Sequence, residues 1–418
     1  MSLFELPANW EWKPLSDVVF DTERRNPKKT PSVTFRYIDI GSVDNQTGYI
    51  VEKAVKSILG KNAPSRARKV VHLGDVIVAT TRPYLRNIAQ IPQSLDDEIC
   101  STGFCVIRPN PQTSISTYIY FACRSKSFID QILPKQKGAN YPAINNSDVF
   151  ETSIPFPYPD HPERSLAEQR RIVARIETLL GEMQGMLRLQ EEISVEVSLL
   201  PEAFLTETLD DLRAELPSAS LQELVDAGRL KVQGGATPER SKAEYWNGDK
   251  PWVSPKDMKH WHITDSQEHI TQTAIKESKR VKLIQPNSVL VVVRGMILAH
   301  TFPVGVTILE VAINQDIKAF VLDDSIDSEY FGYMLRACSA EILDRVETAA
   351  HGTKRLKTDE LLGITIPMPE KDIQKSIVKR LDVILNEIDE MKKSSAKDQT
   401  MLANLEQAIL SQAFRGEL

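Results

Sequence analysis

A chain of 418 residues, 41% hydrophobic and 26% charged, is long enough for two to four cores of ordinary domain size and is neither collagen-like nor wholly disordered. Its apolar runs, such as residues 289–293, fall far short of the roughly 20 residues of a bilayer span, and its first ten residues show no export signal, so a cytoplasmic protein is expected. The net charge of −6 is unevenly spread: residues 1–160 carry 19 basic against 16 acidic groups and residues 163–213 carry 6 against 11, so a polyanionic ligand is neither excluded nor required.

The first module, residues 1–162, alternates β-rich runs at 35–40, 70–79 and 104–107 with a helical stretch at 118–132. A long helix is expected over 163–213. The second module, residues 214–369, has β-rich runs at 281–293 and 319–322 and a helical stretch at 329–346, and a second long helix is expected over 370–418. The fold class is therefore α+β, with two mixed α/β modules each followed by a long helix. Cys100, Cys105, Cys123 and Cys338 form no CxxC pair and have no His at finger spacing, so reduced core thiols are expected and zinc is not.

The chain is duplicated. Glu168-Gln169-Arg170-Arg171-Ile172-Val173 recurs 205 positions later as Ile373-Gln374-Lys375-Ser376-Ile377-Val378, and Ser153-Ile154-Pro155-Phe156-Pro157 recurs as Thr365-Ile366-Pro367-Met368-Pro369. Further back, Arg82 falls opposite Arg294. Between such points the modules have diverged almost completely.

Within the helices, Ile172, Ile176, Leu179, Met183, Met186, Gln190, Ile193, Val197, Leu200 and Phe204 alternate spacings of four and three, as do Ile377, Leu381, Ile384, Ile388, Met391, Ser395, Asp398, Leu402, Leu405 and Ile409. That is a coiled-coil seam. Both copies turn polar midway, at Gln190 and Ser395, which reads as register control or as a solvated bulge. Pro201 removes a backbone hydrogen bond, so a kink or break is expected there.

Motifs for chemistry are missing. Gly234-Gly235 does not sit between a strand and a helix as a cofactor loop should, and Thr81-Arg82-Pro83-Tyr84 shares only its last two residues with an amino-methyltransferase motif. Asp265, Glu277 and Lys279 are the residues of a possible nuclease site but read more simply as a solvated face, and His260-Trp261-His262 as a surface aromatic loop. No metal or catalytic residue is assigned.

Loops mixing basic, amide and aromatic groups suit phosphates and base edges. In module one these are Arg24, Arg25, Lys28 and Lys29; Arg66, Arg68 and Lys69; Arg82, Tyr84 and Arg86; and Lys135, Lys137, Asn140 and Tyr141. In module two they are Lys231, Gln233, Thr237 and Arg240; Lys256, Lys259 and His260; Arg294; and Lys354, Arg355 and Lys357. A solvated loop is the simpler reading of any one cluster. Residues 138–141 and 352–355 stand out because they precede the same repeated strand.

The layout resembles the specificity subunit of type I restriction-modification enzymes over essentially the whole chain. The marks are Leu166-Ala167-Glu168-Gln169-Arg170-Arg171-Ile172-Val173 after a Pro-rich strand end, Tyr245-Trp246-Asn247-Gly248 leading to Pro251-Trp252-Val253, and Ala413-Phe414-Arg415-Gly416-Glu417-Leu418. Module one lacks the Tyr-Trp-Asn-Gly run, and Asp372-Ile373-Gln374 stands where Ala-Glu-Gln is usual. The resemblance implies antiparallel helices with pseudo-twofold symmetry and a DNA-reading subunit that is not itself an enzyme. It also implies a bipartite, asymmetric double-stranded DNA site, docking of methyltransferase subunits that bring S-adenosylmethionine, and docking of restriction subunits that use ATP and Mg2+. The alternative is a coiled-coil scaffold for proteins alone.

Overall fold

In the computed structural model, residues 4–138, 140–349 and 352–418 are described. The chain divides into two compact units, the first formed by residues 1–191 with 397–418 and the second by 192–396. Each unit thus holds one module and a stretch of each long helix.

In the first unit an antiparallel sheet runs in the order Val19–Phe20, Phe104–Pro109, Val76–Ala79, Ile88–Gln90. A second sheet runs Lys56–Leu59, Thr34–Ile38, Glu98–Ser101, Ala67–Val71, its middle pair parallel. The alternation of Val, Ile and Cys in these strands places a row of fully buried side chains, among them Ile77, Ile88 and Phe104, between sheets and helices.

The second unit repeats this order on different residues. Leu230–Gly234, Ile317–Leu322, Val289–Val292 and Val304–Thr307 form one sheet, joined at its edge by His262–Ile263. The other runs His269–Ile270, Trp246–Val253, Val311–Ile313, Leu283–Ile284, again with a parallel middle pair. In each unit a short antiparallel ribbon ties the module's start to the strand before its long helix: Trp10–Pro14 with Ser153–Pro157, and Ser218–Ser220 with Thr365–Pro367.

Turn chemistry subdivides several expected elements. Gly74, at φ 85°, ends one strand and begins another inside 70–79. Ser125 is extended and accepts from the Phe128 amide, dividing 118–132 into helices Ser116–Arg124 and Lys126–Ile132. The corresponding stretch of the second unit is likewise two helices, Ser328–Ala337 and Ser339–Asp344. Gly235 follows a strand and crosses against the Ile313 carbonyl so closely that a Cβ would lie 1.9 Å from its oxygen; close backbone packing, not a cofactor, requires glycine there.

The long helices are Pro162–Glu215 and Lys371–Phe414. In the first unit Ile172, Val173 and Ile176 share a core with Ile409, Leu410, Ala413 and Phe414; in the second Leu205 and Leu209 share one with Leu381. Early residues of one helix meet late residues of the other in both units, so the pairing is antiparallel. No break occurs at Pro201, which is buried inside a continuous helix. One missing hydrogen bond is outweighed there by burial of Val197, Leu205 and Leu209 on either side. Ile193, expected in the seam, is instead 48% exposed. The seam passes through Ser194, whose hydroxyl lies 2.7 Å from that of buried Ser395. A step of four from Gln190, then three to Val197, replaces the step of three then four, and at 100° per residue this turns Ile193 to solvent.

In each unit a buried tyrosine ties a short helix to the strand before the long helix, and a buried glutamine locks the module to that long helix. Tyr118 donates to the Pro155 carbonyl at 2.7 Å, and Tyr330, at the equivalent place, donates to Pro367 at 2.9 Å. Gln169 accepts from the Ile115 amide (2.8 Å) and donates to the Thr113 carbonyl (2.9 Å); Gln374 accepts from the Asp327 amide (2.8 Å) and donates to the Ser325 and Pro369 carbonyls. Both glutamines are fully buried. Among the described residues no helix is long and apolar enough to cross a membrane.

Candidate nucleic-acid interface

The expected binding residues separate according to whether a carboxylate already holds them. Arg25 pairs with Asp97 at 2.6 Å, which raises the guanidinium pKa and lowers that of the carboxyl. Lys357 pairs with Glu347 at 2.6 Å. Arg240 is ion-paired with Glu268 and lies over the rings of Trp246 (4.0 Å) and Trp252 (5.0 Å), so the aromatic run at 245–252 cradles this side chain. Thr237 donates to Gln315 at 2.6 Å.

Lys69 is a correction. It is 4% exposed, and its ammonium donates to the Phe104 carbonyl between sheet strands, where burial lowers its pKa. A phosphate does not reach it. The β-run continuing from Ala67 carries its side chain inward, whereas Arg66 and Arg68 on either side stay accessible.

A second group has no ion-pair partner among the described residues: Arg24, Arg66, Arg68, Arg82 and Arg86 in the first unit and Arg294 and Arg355 in the second. Two of these meet around one feature. Arg66, Arg82, Leu85 and Tyr141 line a cavity of about 520 Å³ with Ile40, Thr81 and Ala143, a lining without a carboxylate. The Arg82 guanidinium lies 5.2 Å from the centre of the Tyr141 ring, which is 70% exposed.

The backbone explains this meeting. The turn after strand Val76–Ala79 puts Arg82 (φ 51°) and Arg86 (φ 54°) in the left-handed region on either side of a short 3-10 turn. Arg82 donates from its backbone to Pro142 (2.7 Å), and Ile144 donates to Thr80 (2.8 Å), so the turn is stitched to the loop of residues 137–144. That loop also carries Lys137, Asn140 and Tyr141, all exposed; its Ala139 lies outside the described residues. In the second unit Gly295 donates to Lys354 (3.0 Å) and Leu356 to Val293 (2.9 Å), bringing Arg294 beside Arg355. The two repeated loop pairs, expected from their place before the same strand, are thus assembled alike.

Other residues lie apart from these loops. Lys28 and Lys29 sit in an exposed 3-10 turn capped by Asn26. Lys135 reaches the Asp148 carbonyl, and Lys231, Gln233 and Lys256 are on accessible strand and loop positions. Lys259 and His260 line a groove of about 470 Å³ facing Glu202 and Thr206 of the central helix. Trp261 stacks on Tyr333 at 4.5 Å and donates to Glu329, while His260 and His262 on either side stay exposed. Asp265 is held by His269 (2.8 Å) and Glu277 by Tyr245 (2.8 Å), different partners in different contacts. The cysteines are buried as expected; burial pushes the Cys100, Cys105 and Cys338 thiols up to about 12.

Residues 7–194 and 220–397 match the family described as type I restriction modification DNA specificity domain, well over half of the chain. The chain belongs to that family. The EcoR124I/EcoR124II specificity subunit of Escherichia coli is 30% identical over 240 residues, 56% of each chain, and the MjaIX specificity subunit of Methanocaldococcus jannaschii 25% over 181 residues, 42% of this chain and 40% of that one. These matches span about half the length of the curated relatives or less. Among solved structures, the HsdS subunit from Thermoanaerobacter tengcongensis is 35% identical with a TM-score of 0.69 over 99% of both chains. A chain from a study of complex assembly and conformational transition in a type I R-M system is 34% identical with a TM-score of 0.73 over 100% of both.

Within this specificity chain, the roles of Gln169, Gln374, Tyr118 and Tyr330 escaped the sequence. Their types and repeated positions were visible; their burial was not.

Proposed function

We propose that this chain is the non-catalytic, address-reading subunit of a type I restriction-modification complex in the cytoplasm. Each module reads one half of a split, asymmetric site in double-stranded DNA. The paired helices dock methyltransferase subunits, which carry S-adenosylmethionine, and restriction subunits, which use ATP and Mg2+. The observation that carries the reading is the pair of equivalent loop assemblies, one per module, with arginines held by no carboxylate on backbones of the same topology and divergent sequence. Phosphates satisfy such arginines, and differing loop side chains give two different half-sites. Family membership supports the same reading, as does the similarity to a chain studied for complex assembly.

Comparison of methylomes from cells with and without the gene tests it: one bipartite motif is expected to lose methylation on deletion, and its persistence overturns the proposal. Purified chain with duplex DNA and Mg2+ separates the rivals. A protein-only scaffold shows no salt-dependent binding, and a nuclease built on Asp265, Glu277 and Lys279 cleaves unaided.

A further inference from the structure

The turn that follows strand Val76–Ala79 in the first unit, and strand Val289–Val292 in the second, ends in two exposed apolar side chains. In the first unit they are Tyr84 (49% exposed) and Leu85 (38%); in the second they are Met296 (63%) and Ile297 (38%). The pairs are equivalent, since Arg82 precedes one as Arg294 precedes the other at the 212-residue offset that also relates Tyr118 to Tyr330. Neither turn is loose. Each is a 3-10 turn, Pro83–Leu85 and Met296–Ala299, pinned from below by a buried side chain, Pro83 or Leu298, and stitched to a second basic loop by backbone hydrogen bonds. A scattered exposed apolar residue needs no explanation, but two adjacent ones at the same tip of both modules, whose surfaces otherwise share little sequence, do.

What surrounds the tips selects the occupant. Arg66, Arg82 and Arg86 flank the first tip and Arg294 and Arg355 the second, with no carboxylate in ion-pair reach of any of them among the described residues. An apolar point inside a ring of uncompensated cations is complementary to a polymer that is anionic outside and apolar between its charges. Base faces and thymine methyl groups behind two phosphate rows meet that description.

We propose that Tyr84–Leu85 and Met296–Ile297 touch the bases of the DNA duplex directly, through apolar contact, while the adjacent arginines hold the flanking phosphates. The inference rests on the reading of the chain as DNA-binding and adds the chemistry by which each module senses sequence.

The test uses full-length chain and a duplex that the unaltered protein enriches from a random library. If nothing is enriched, the DNA-reading proposal itself fails. If a duplex is enriched, the double variant Tyr84→Ser with Leu85→Ser is expected to lose tenfold or more in affinity for it. Its non-specific affinity and the slope of log K against log salt stay unchanged. Arg82→Ala is expected to weaken specific and non-specific binding alike and to reduce the slope by about 0.9, one phosphate. Tyr84→Phe keeps full affinity, and thermal melting of each variant guards against misfolding. Deoxyuridine in place of thymidine, and brightening of 2-aminopurine placed in the site, distinguish methyl contact from insertion between bases. Unchanged specific affinity in the serine variant overturns the inference, as does equal loss on all sequences. So does loss of binding to anionic vesicles in place of DNA, which would assign the tips to a membrane surface.

Discussion

The two modules hold one strand order on sequences that agree at only a few points, and the agreeing points are unlike the rest. Tyr118 and Tyr330, Gln169 and Gln374 are buried polar groups whose hydrogen bonds end mainly on backbone atoms. Elsewhere the modules fill their cores with apolar side chains at differing positions, Phe104 and Phe128 being buried in the first and Phe320 and Phe331 in the second. The contrast teaches that apolar burial sets the fold class loosely, whereas a few buried polar groups fix which strand end meets which helix.

That contrast can be broken at its points of difference. Arg124 and Arg336 are equivalent residues, each bound to a glutamate of a long helix, but Arg124–Glu406 is buried (side chains 8% and 22% exposed) and Arg336–Glu202 is not (32% and 55%). Arg124→Ala is therefore expected to have the largest effect, about 3 kcal/mol of stability by denaturant titration, since Glu406 is left without its partner. Gln169→Ala and Gln374→Ala follow at about 2–3 kcal/mol each, because amides and carbonyls are orphaned in the interior. A much smaller cost at one of them would show that only one module depends on its lock. Tyr118→Phe and Tyr330→Phe are expected to cost about 1 kcal/mol each. Arg336→Ala is expected to cost no more than about 1 kcal/mol, as for an exposed pair.

The smallest effect on binding is expected at Lys69: Lys69→Met leaves DNA affinity and its salt slope unchanged, and a fall in the slope would return this residue to the interface. Its pH behaviour is a separate check. The buried ammonium has a lowered pKa, so between that value and the unfolded one near 10.5 the unfolded chain binds more protons and stability rises with pH. Lys69→Met lacks this gain, so the stability difference between variant and parent, followed by thermal melting, should shift in favour of the parent as pH climbs toward 10.5.

Much of this architecture was legible in the sequence. The duplication, both long helices and their seam follow from repeats and from spacings of three and four, whereas the antiparallel direction was implied by the family resemblance alone. Strand pairing was less so: Glu98–Ser101 and Val311–Ile313 are short and central, and their parallel partners lie about 60 residues upstream, beyond any local pattern. In the interface, the repeated loop pairs were found by position alone. The paired state of Arg25 and Arg240 and the inward turn of Lys69 were hidden, because the carboxylates and sheets responsible are distant in sequence.

The hydroxyl pair of Ser194 and Ser395 gives the helices a marked rung. Inserting one residue in either helix rotates everything beyond it by about 100°, stranding one hydroxyl among apolar side chains and lifting the following ones into water. Insertions of seven or eleven residues preserve the phase. A scaffold of this kind lengthens or shortens most easily in discrete steps, because each other length costs burial along the seam.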